Sequence, residues 1–140
     1  MRHSETGAVS TELAVLTPVL IGFMLFAVYA GRVTQAEGDV ANAAQEAARA
    51  ASLTANPTDA ETAASETAVA NIAHGGVACR RPQITVDTTD FNAGGRVAVT
   101  VGCESSFADL ALLAVPGSRT FTATAVEDID TDRAVQEATP

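Results

Sequence analysis

The feature that most constrains this chain is an uncharged stretch of nineteen residues, 13–31, close to its beginning. At a rise of about 1.5 Å per residue, a helix of this length spans about 28 Å, near the hydrocarbon thickness of a bilayer. Tyr29 and Arg32 stand at its far end, where an interfacial aromatic ring and a snorkelling base are typical. The stretch predicts one membrane-spanning helix, in which Pro18 and Gly22 mark a place where the helix can bend.

A single carboxylate, Glu12, stands directly before this stretch. Moving a charged side chain toward hydrocarbon costs several kcal/mol, so the acid needs either water or a cation partner. The residues alone leave both interpretations open. Glu12 lies in water at the helix start, where the helix dipole also favours it, or it pairs with a cation among packed apolar helices.

Composition limits what the rest of the chain can do. The net charge is −9, from 17 acids against 8 bases. An acidic surface argues against binding nucleic acid or anionic lipid headgroups through a basic patch. Aromatic residues make up only 4%, without any Trp, which excludes a large aromatic core. The residues after the apolar stretch suffice for one small domain with a thin core.

Small apolar residues continue the helical pattern beyond the apolar stretch. They recur at steps of three and four residues, and apart from Gly38 no helix breaker occurs before Asn56-Pro57. We therefore expect one helix over about 8–55, roughly 70 Å long, whose upper half packs under the domain. The residues of this stripe are Val33, Ala36, Val40, Ala43, Ala47 and Ala51.

A second helix comes after a short break. Thr58 and Glu61 have the spacing of a capping box, which makes Thr58 the predicted N-cap. The helix is expected over about 59–73 and ends at Gly75-Gly76. Its predicted inner face consists of Ala60, Ala64, Ala68 and Ile72.

Three segments of alternating character predict strands, at 84–88, 97–103 and 121–125, and a glycine-containing turn at 92–95 joins the first two into a hairpin. The leucine-rich segment 107–115 predicts one or two helical turns. The fold class is therefore α+β: a long N-terminal transmembrane helix continues into a small domain with a second helix and a three-stranded antiparallel sheet. One face of the sheet packs on a helix and the other faces water. The acids Asp128, Asp130 and Asp132 and the residues after them are expected to be solvated.

Two cysteines, Cys79 and Cys103, come after the apolar stretch. If that stretch delivers them across a membrane, they lie in an oxidising space, where a disulfide is expected. Such a bridge would tie the connection between helix and sheet to the hairpin and stabilise the domain by roughly 3 kcal/mol. The alternative is a pair of buried thiols.

No arrangement of residues points to catalysis. His74, Cys79 and Cys103 lack the spacing of zinc ligands, and His74 is better interpreted as a partner of the last helical carbonyls. The alternating acids near the end lack the Gly and distal Glu of a calcium loop. The glycine pairs are turns, and the serines lack plausible His and Asp partners. We expect a protein that is not an enzyme and that needs no cofactor or metal.

Residues 7–52 resemble the TadE-like pseudopilins of tight-adherence pilus systems, within the wider type IV pilin group. The resemblance rests on Gly7, on Glu12 five positions later, on Pro18 within the apolar helix and on the alanine-rich continuation. It implies that a prepilin peptidase cuts between Gly7 and Ala8 on the cytoplasmic face. In an assembled fibre, the new α-amine of a neighbouring subunit would then neutralise Glu12.

The resemblance also implies how the chain is organised: a leader at 1–7, a transmembrane and assembly helix at 8–31, an extracytoplasmic α+β domain at 32–130 and a flexible tail at 131–140. The chain would be a minor pseudopilin of the cytoplasmic membrane, single-pass with its N-terminus inside, that acts in pilus assembly and adhesion. Its partners would be the prepilin peptidase, other pilins and the assembly machinery, and not nucleic acid.

The alternative is a secreted or membrane-anchored envelope binding domain with an ordinary signal peptide. The small-residue site Val28-Tyr29-Ala30 would be cleaved after Ala30. The residues before the apolar stretch include Glu5 and Glu12 and are poorly cationic, which weighs against this alternative.

Overall fold

A computed structural model describes the backbone of residues 6–76, 79–106 and 118–132, and the side chains from residue 13 onward in these ranges except at 106. Two helices precede three strands, in the order α1 (Thr6–Ser52), α2 (Pro57–His74), β1 (Gln83–Asp90), β2 (Arg96–Ser106) and β3 (Ser118–Asp128). This is the predicted α+β class. The chain divides into two compact units, Met1–Val33 and Thr34–Pro140.

In the first unit, α1 carries large apolar side chains that are exposed. Their exposed fractions run from 46% to 71%. By length and composition, this helix is apolar enough to cross a membrane. The side chains described in the first unit, from residue 13 onward, therefore leave most of their apolar surface exposed. The exposed side chains are Leu13, Val15, Leu16, Val19, Leu20, Ile21, Phe23, Met24, Phe26 and Val28.

The helix passes through Pro18 without ending. A proline has no N–H, so the carbonyl of Ala14 loses its usual helical donor. At the residue directly before the proline, the Thr17 hydroxyl donates to the carbonyl of Leu13 at 2.6 Å. Hydroxyls that bond back to the helix in this way satisfy their own polarity where water is scarce.

In the second unit, α1 presents a buried face of small residues. These side chains are at most 3% exposed, and they confirm the predicted stripe from Ala36 onward, whereas Val33 is only half-buried. The helix ends at Ser52, a few residues before the predicted end, because Leu53 and Thr54 donate to carbonyls only three residues back and tighten the chain. The buried residues are Ala36, Val40, Ala43, Ala44, Ala47, Ala48 and Ala51.

The predicted cap of α2 is wrong, since Asn56 and not Thr58 is the N-cap. The Asn56 amide oxygen accepts a hydrogen bond from the backbone N–H of Asp59 at 2.8 Å, and its NH2 group donates to the Asp59 carboxylate at 2.8 Å. Pro57 explains the earlier start, because its fixed φ suits the first helical position and its missing N–H costs nothing there. Thr58 therefore lies inside the first turn.

The other features of α2 agree with the sequence pattern. Ala60, Ala64 and Ala68 are fully buried, and Ile72 is half-buried. The helix ends at His74, and the N–H of Gly75 donates to the carbonyls of Asn71 and Ile72. The predicted inner face and the predicted stop are confirmed.

The sheet is antiparallel with the order β1-β2-β3, and each strand is longer than the alternating pattern suggested. Val99 pairs with Val86 on β1 and with Ala125 on β3. The hairpin between β1 and β2 turns through Gly94, whose φ of 80° is the left-handed conformation that favours glycine. The pairing of β1 with β2 shifts register between Asp87 and Asp90.

The two faces of the sheet differ as predicted. On the inner face of β2, Val97, Val99 and Val101 are fully buried and Cys103 is 2% exposed. The outer face carries exposed threonines, and the hydroxyls of Thr100 and Thr124 are 2.8 Å apart. Contacts join α2 to β1. The core of the second unit thus consists of the buried helical alanines and the inner face of the sheet.

Asp128, Asp130 and Asp132 are exposed, as predicted, but Asp128 belongs to β3 and not to a tail. Ile129 is 2% exposed, its N–H donates to the Gly95 carbonyl at 2.9 Å, and its carbonyl accepts from the Gly94 N–H at 3.1 Å. The folded part therefore continues past the strand, because an isoleucine closes the core beside the hairpin turn. The predicted leader before residue 6, the helical turns at 107–115 and the tail from 133 lie outside the described residues.

Candidate assembly site

The residues predicted for processing and assembly lie on one continuous helix. Gly7 and Ala8 fall in the first turn of α1, and Glu12 and Pro18 come later on the same helix. Residues four apart in a helix share a face about one turn, or ~6 Å, apart. The backbone therefore places Ala8 and Glu12 on one face of α1. The side chains of these two residues lie outside the described part, so the pairing of Glu12 stays a prediction.

The glycines of α1 have open surroundings. A methyl group added at Gly22, Gly31 or Gly38 would meet no atom of the chain within 4 Å, apart from the local helix backbone and neighbours. Packing inside the chain does not require glycine at any of these positions. They contrast with Gly76, where the surroundings are crowded.

Cys79 and Cys103 form a disulfide, with their Cα atoms 5.4 Å apart and their positions separated by 24 in sequence. Cys79 also forms an antiparallel bridge with Ser105, and the N–H of Arg80 donates to the Glu104 carbonyl at 2.9 Å. The chain that leaves α2 is therefore fastened to β2 both covalently and by backbone hydrogen bonds. This placement agrees with the bridge expected from the sequence.

A contact that the sequence did not predict joins α1 to the end of α2. The Asp39 carboxylate accepts a hydrogen bond from the N–H of Gly76 at 3.1 Å. A Cβ at Gly76 would collide with the Gln35 amide, and one at Gly75 would lie 3.1 Å from the Asp39 carboxylate. The glycine pair, interpreted only as a helix stop, thus also allows the close approach of α1. No local pattern marks Gln35 or Asp39.

The next question is whether the described residues could form a metal-binding or catalytic site. Within 6–76, 79–106 and 118–132, no three His, Cys, Asp or Glu side chains are placed to hold a metal ion. His74, the last residue of α2, is exposed. The pKa of Asp87 is lowered by hydrogen bonds from the hydroxyl and then the N–H of Thr89, on an exposed edge of the sheet. That arrangement lies at the register shift of β1 between Asp87 and Asp90.

The comparison with known families bears on α1. Residues 7–49 match the family model described as TadE-like protein.

This segment, called the TadE-like segment below, is similar to the TadE-like family. The match includes Gly7, Ala8, Glu12 and Pro18 and ends within the alanine-rich part of α1, before α2 begins. It covers about a third of the chain, 43 of 140 residues, so the resemblance found in the sequence is confirmed for this TadE-like segment. Comparisons with curated proteins and with solved structures gave no significant match.

Proposed function

We propose that this chain is a membrane-anchored, TadE-like pseudopilin of a tight-adherence pilus, processed by a prepilin peptidase. One observation carries the proposal: the TadE-like segment lies within one uninterrupted helix, and large apolar side chains are exposed along residues 13–28 of it. Burial of apolar surface contributes about 25 cal/mol per Å2. The ten large apolar side chains that are exposed on α1 therefore favour contact with lipid or with other helices.

Cleavage between Gly7 and Ala8 is chemically plausible at this position. The first turn of a helix has backbone N–H groups without helical partners, so it unwinds at lower cost than the interior. A peptidase needs such an unwound segment to reach the bond. The product would be a chain that begins at Ala8, with a free α-amine one helical turn from Glu12.

The new amine gives Glu12 a partner. A carboxylate among packed apolar helices is strongly destabilising unless a cation neutralises it. The α-amine of an adjacent subunit meets this need without adding a charged side chain to the helix. The subunit would then exchange lipid contacts for helix contacts as it enters or caps a fibre.

The domain after the anchor is assigned to the outside of the cytoplasmic membrane. Disulfides persist in oxidising compartments and are rare in the cytosol, and the chain holds one between Cys79 and Cys103. The N-terminus would accordingly remain inside. The expected partners are the prepilin peptidase, other pilins and the assembly machinery, and no enzymatic activity is proposed.

The test is the N-terminus of the protein extracted from membranes of cells that carry the peptidase, determined by intact mass and Edman degradation. We expect the chain to start at Ala8 and the variant Gly7→Ala to keep its leader. Gly22→Ala is the matched control: it makes the same change in the same helix, where a methyl group has open space. It should be processed normally. A start at Gly31 would instead support the secreted or anchored binding domain.

A second experiment isolates Glu12. Glu12→Ala and the isosteric Glu12→Gln should be cleaved like the natural chain but should fail to assemble, because neither carries the charge that pairs with the amine. Glu37→Ala removes an exposed acid from the same helix in the second unit and should leave pilus output unchanged. Normal assembly of both Glu12 variants would remove the role proposed for this residue.

A further inference from the structure

The outer face of the sheet has a glycine on its middle strand. Gly102 lies on β2, where it pairs with Gln83 of β1 and with Thr122 of β3. A glycine inside a strand weakens the strand, and it often marks a place where a ligand or another backbone approaches closely. Either packing inside the chain or space for a ligand can account for such a residue.

Packing inside the chain does not require glycine at position 102. A Cβ built on Gly102 would lie 3.7 Å from the Gln83 Cβ and 3.8 Å from the Thr122 hydroxyl oxygen, which are ordinary van der Waals distances. The φ of Gly102 is also outside the left-handed region that favours glycine. Gly95 differs, because a Cβ there would collide with the Asp90 carbonyl. At Gly102, the missing side chain therefore leaves usable space on the outer face.

This space is a hollow of about 220 Å3, which we call the glycine recess. Gly102 and its two paired neighbours form the middle row of the recess. The next row on one side contains Thr85 paired with Thr100, and the row on the other side contains Glu104 paired with Thr120. The side chains of both outer rows line the recess. A single small position within three rows of larger polar residues thus produces the hollow.

One end of the glycine recess carries both a base and an acid. The N–H of Arg80 donates to the Glu104 carbonyl at 2.9 Å, which brings the next residue, Arg81, to the same end of the recess as Glu104. A simple anion would meet the Glu104 carboxylate there, and a simple cation would meet the Arg81 guanidinium. Because like charges at close range are unfavourable, the recess suits a ligand without net charge.

The remaining side chains of the recess are uncharged and polar. Gln83, Thr85, Thr120 and Thr122 are exposed, and each has both a donor and an acceptor. A saccharide ring carries hydroxyl groups of the same double character at several positions around a neutral frame. A zwitterion such as an amino acid would use only the charged end. The distribution of polar groups around the recess therefore favours the saccharide.

We propose that the glycine recess binds one neutral saccharide ring. Its volume lies below the roughly 300 Å3 at which pockets for drug-sized ligands begin, so it accommodates a single ring. Arg81 would donate to ring hydroxyls and Glu104 would accept from them, while the backbone of Gly102 leaves room for close approach. A free sugar and one unit of a polysaccharide share this chemistry. The proposal does not rest on the proposed function, because it uses only residues of the second unit.

The probes are the methyl glycosides of D-glucose, D-galactose and N-acetyl-D-glucosamine, with L-alanine as the zwitterion. Each is titrated into the purified full chain in dodecylphosphocholine micelles, whose headgroup is not a sugar, and amide NMR shifts are followed. We expect at least one glycoside to shift the Gly102 and Thr122 amides with a dissociation constant of roughly 1–10 mM, because its hydrogen bonds replace bonds to water on an exposed face.

Substitution of Gly102 distinguishes the recess from the rest of the face. Gly102→Val fills the recess and should weaken binding at least about tenfold, while the midpoint of chemical denaturation stays the same or rises, since valine suits a strand. Gly102→Ala adds only the Cβ and should weaken binding less. Ala98→Val is the matched control. Ala98 is half-buried on the same face of β2, paired with Asp87 and Val126 outside the recess, so binding should be unchanged.

A tetrasaccharide of the ring that binds separates the two sources. Binding at least as tight as that of the methyl glycoside assigns the recess to a polysaccharide, and weaker binding assigns it to a free sugar. Absence of binding by all three glycosides, binding of L-alanine alone, or equal binding by the natural chain and a folded Gly102→Val variant would overturn the proposal. The measurement does not require leader cleavage, so a failure of the proposed processing leaves its outcome unaffected.

Discussion

The two units of this chain use apolar residues in opposite ways. In the first unit, leucines, isoleucines, phenylalanines and other large residues of α1 are about half to two thirds exposed. In the second unit, alanines and valines are fully buried in a core that contains few large side chains. The larger side chains thus contribute little to the stability of the isolated chain, while the smallest hold the domain together. The apolar side chains of the first unit can be buried only by lipid or by another protein, whereas the core of the second unit is buried within the chain itself.

The strongest test of this contrast places the same charge in both units. Ala47→Asp puts a carboxylate at a fully buried position of α1 and should destabilise the second unit by more than about 3 kcal/mol, because nothing there compensates the charge. Leu20→Asp, at a side chain 65% exposed, should leave that stability unchanged and impair membrane partition instead. Hydrogen exchange of the β2 amides in micelles measures the first effect and membrane fractionation the second.

The next effect concerns the disulfide of the second unit. Cys103→Ser should lower the free energy of unfolding by about 3 kcal/mol, since the bridge constrains the unfolded chain over 24 residues. The double variant Cys79→Ser/Cys103→Ser should lose no more than the single variant, because both remove the same bond. Chemical denaturation followed by circular dichroism gives these values. An additive loss would show that the two cysteines act separately.

A smaller effect distinguishes the two candidate caps of α2. Asn56→Ala should destabilise the second unit by about 1 kcal/mol, because the Asp59 N–H loses its acceptor. Thr58→Ala should change the stability by less than about 0.5 kcal/mol, as at an ordinary exposed helical site. Denaturant midpoints of the two variants decide between the caps. A larger loss at Thr58 would restore the capping box suggested by the sequence.

The smallest effect is a pH dependence at the edge of β1. Thr89 lowers the pKa of Asp87, chiefly through its hydroxyl, so the folded state favours the ionised carboxylate. The ionised Asp87 carboxylate therefore stabilises the folded state at pH values above 3.8, the ordinary pKa of this group. This stabilisation is lost as the pH falls through the lower pKa that Asp87 has in the folded state. Thr89→Ala should raise the pKa toward 3.8 in a carboxyl NMR titration, while Thr89→Ser should keep it low. No change in Thr89→Ala would exclude the hydroxyl as the cause.

Local patterns predicted most of the architecture of both units. Three patterns each lie within a single element: the uncharged stretch, the alanine stripe of α1 and the alternation of β2. The buried side chains of the alanine stripe follow the 3.6-residue period of a helix, and those of β2 recur at every second residue. The same holds for the hairpin turn at Gly94. The cap of α2 shows the limit of such reasoning. The spacing of Thr58 and Glu61 predicts the cap two residues too late, because the backbone preference of Pro57 suits the first helical position and makes Asn56 the N-cap.

By itself, the sequence determined the helical segments and the strand faces, because these depend on neighbours a few residues apart. Only the tertiary structure decided the strand order β1-β2-β3, that Asp39 binds Gly76 across 37 residues, and that Ile129 closes the core beyond β3. Such contacts join residues that share no local pattern. They form because packing of helices and strands around one core brings distant backbone groups within hydrogen-bonding distance.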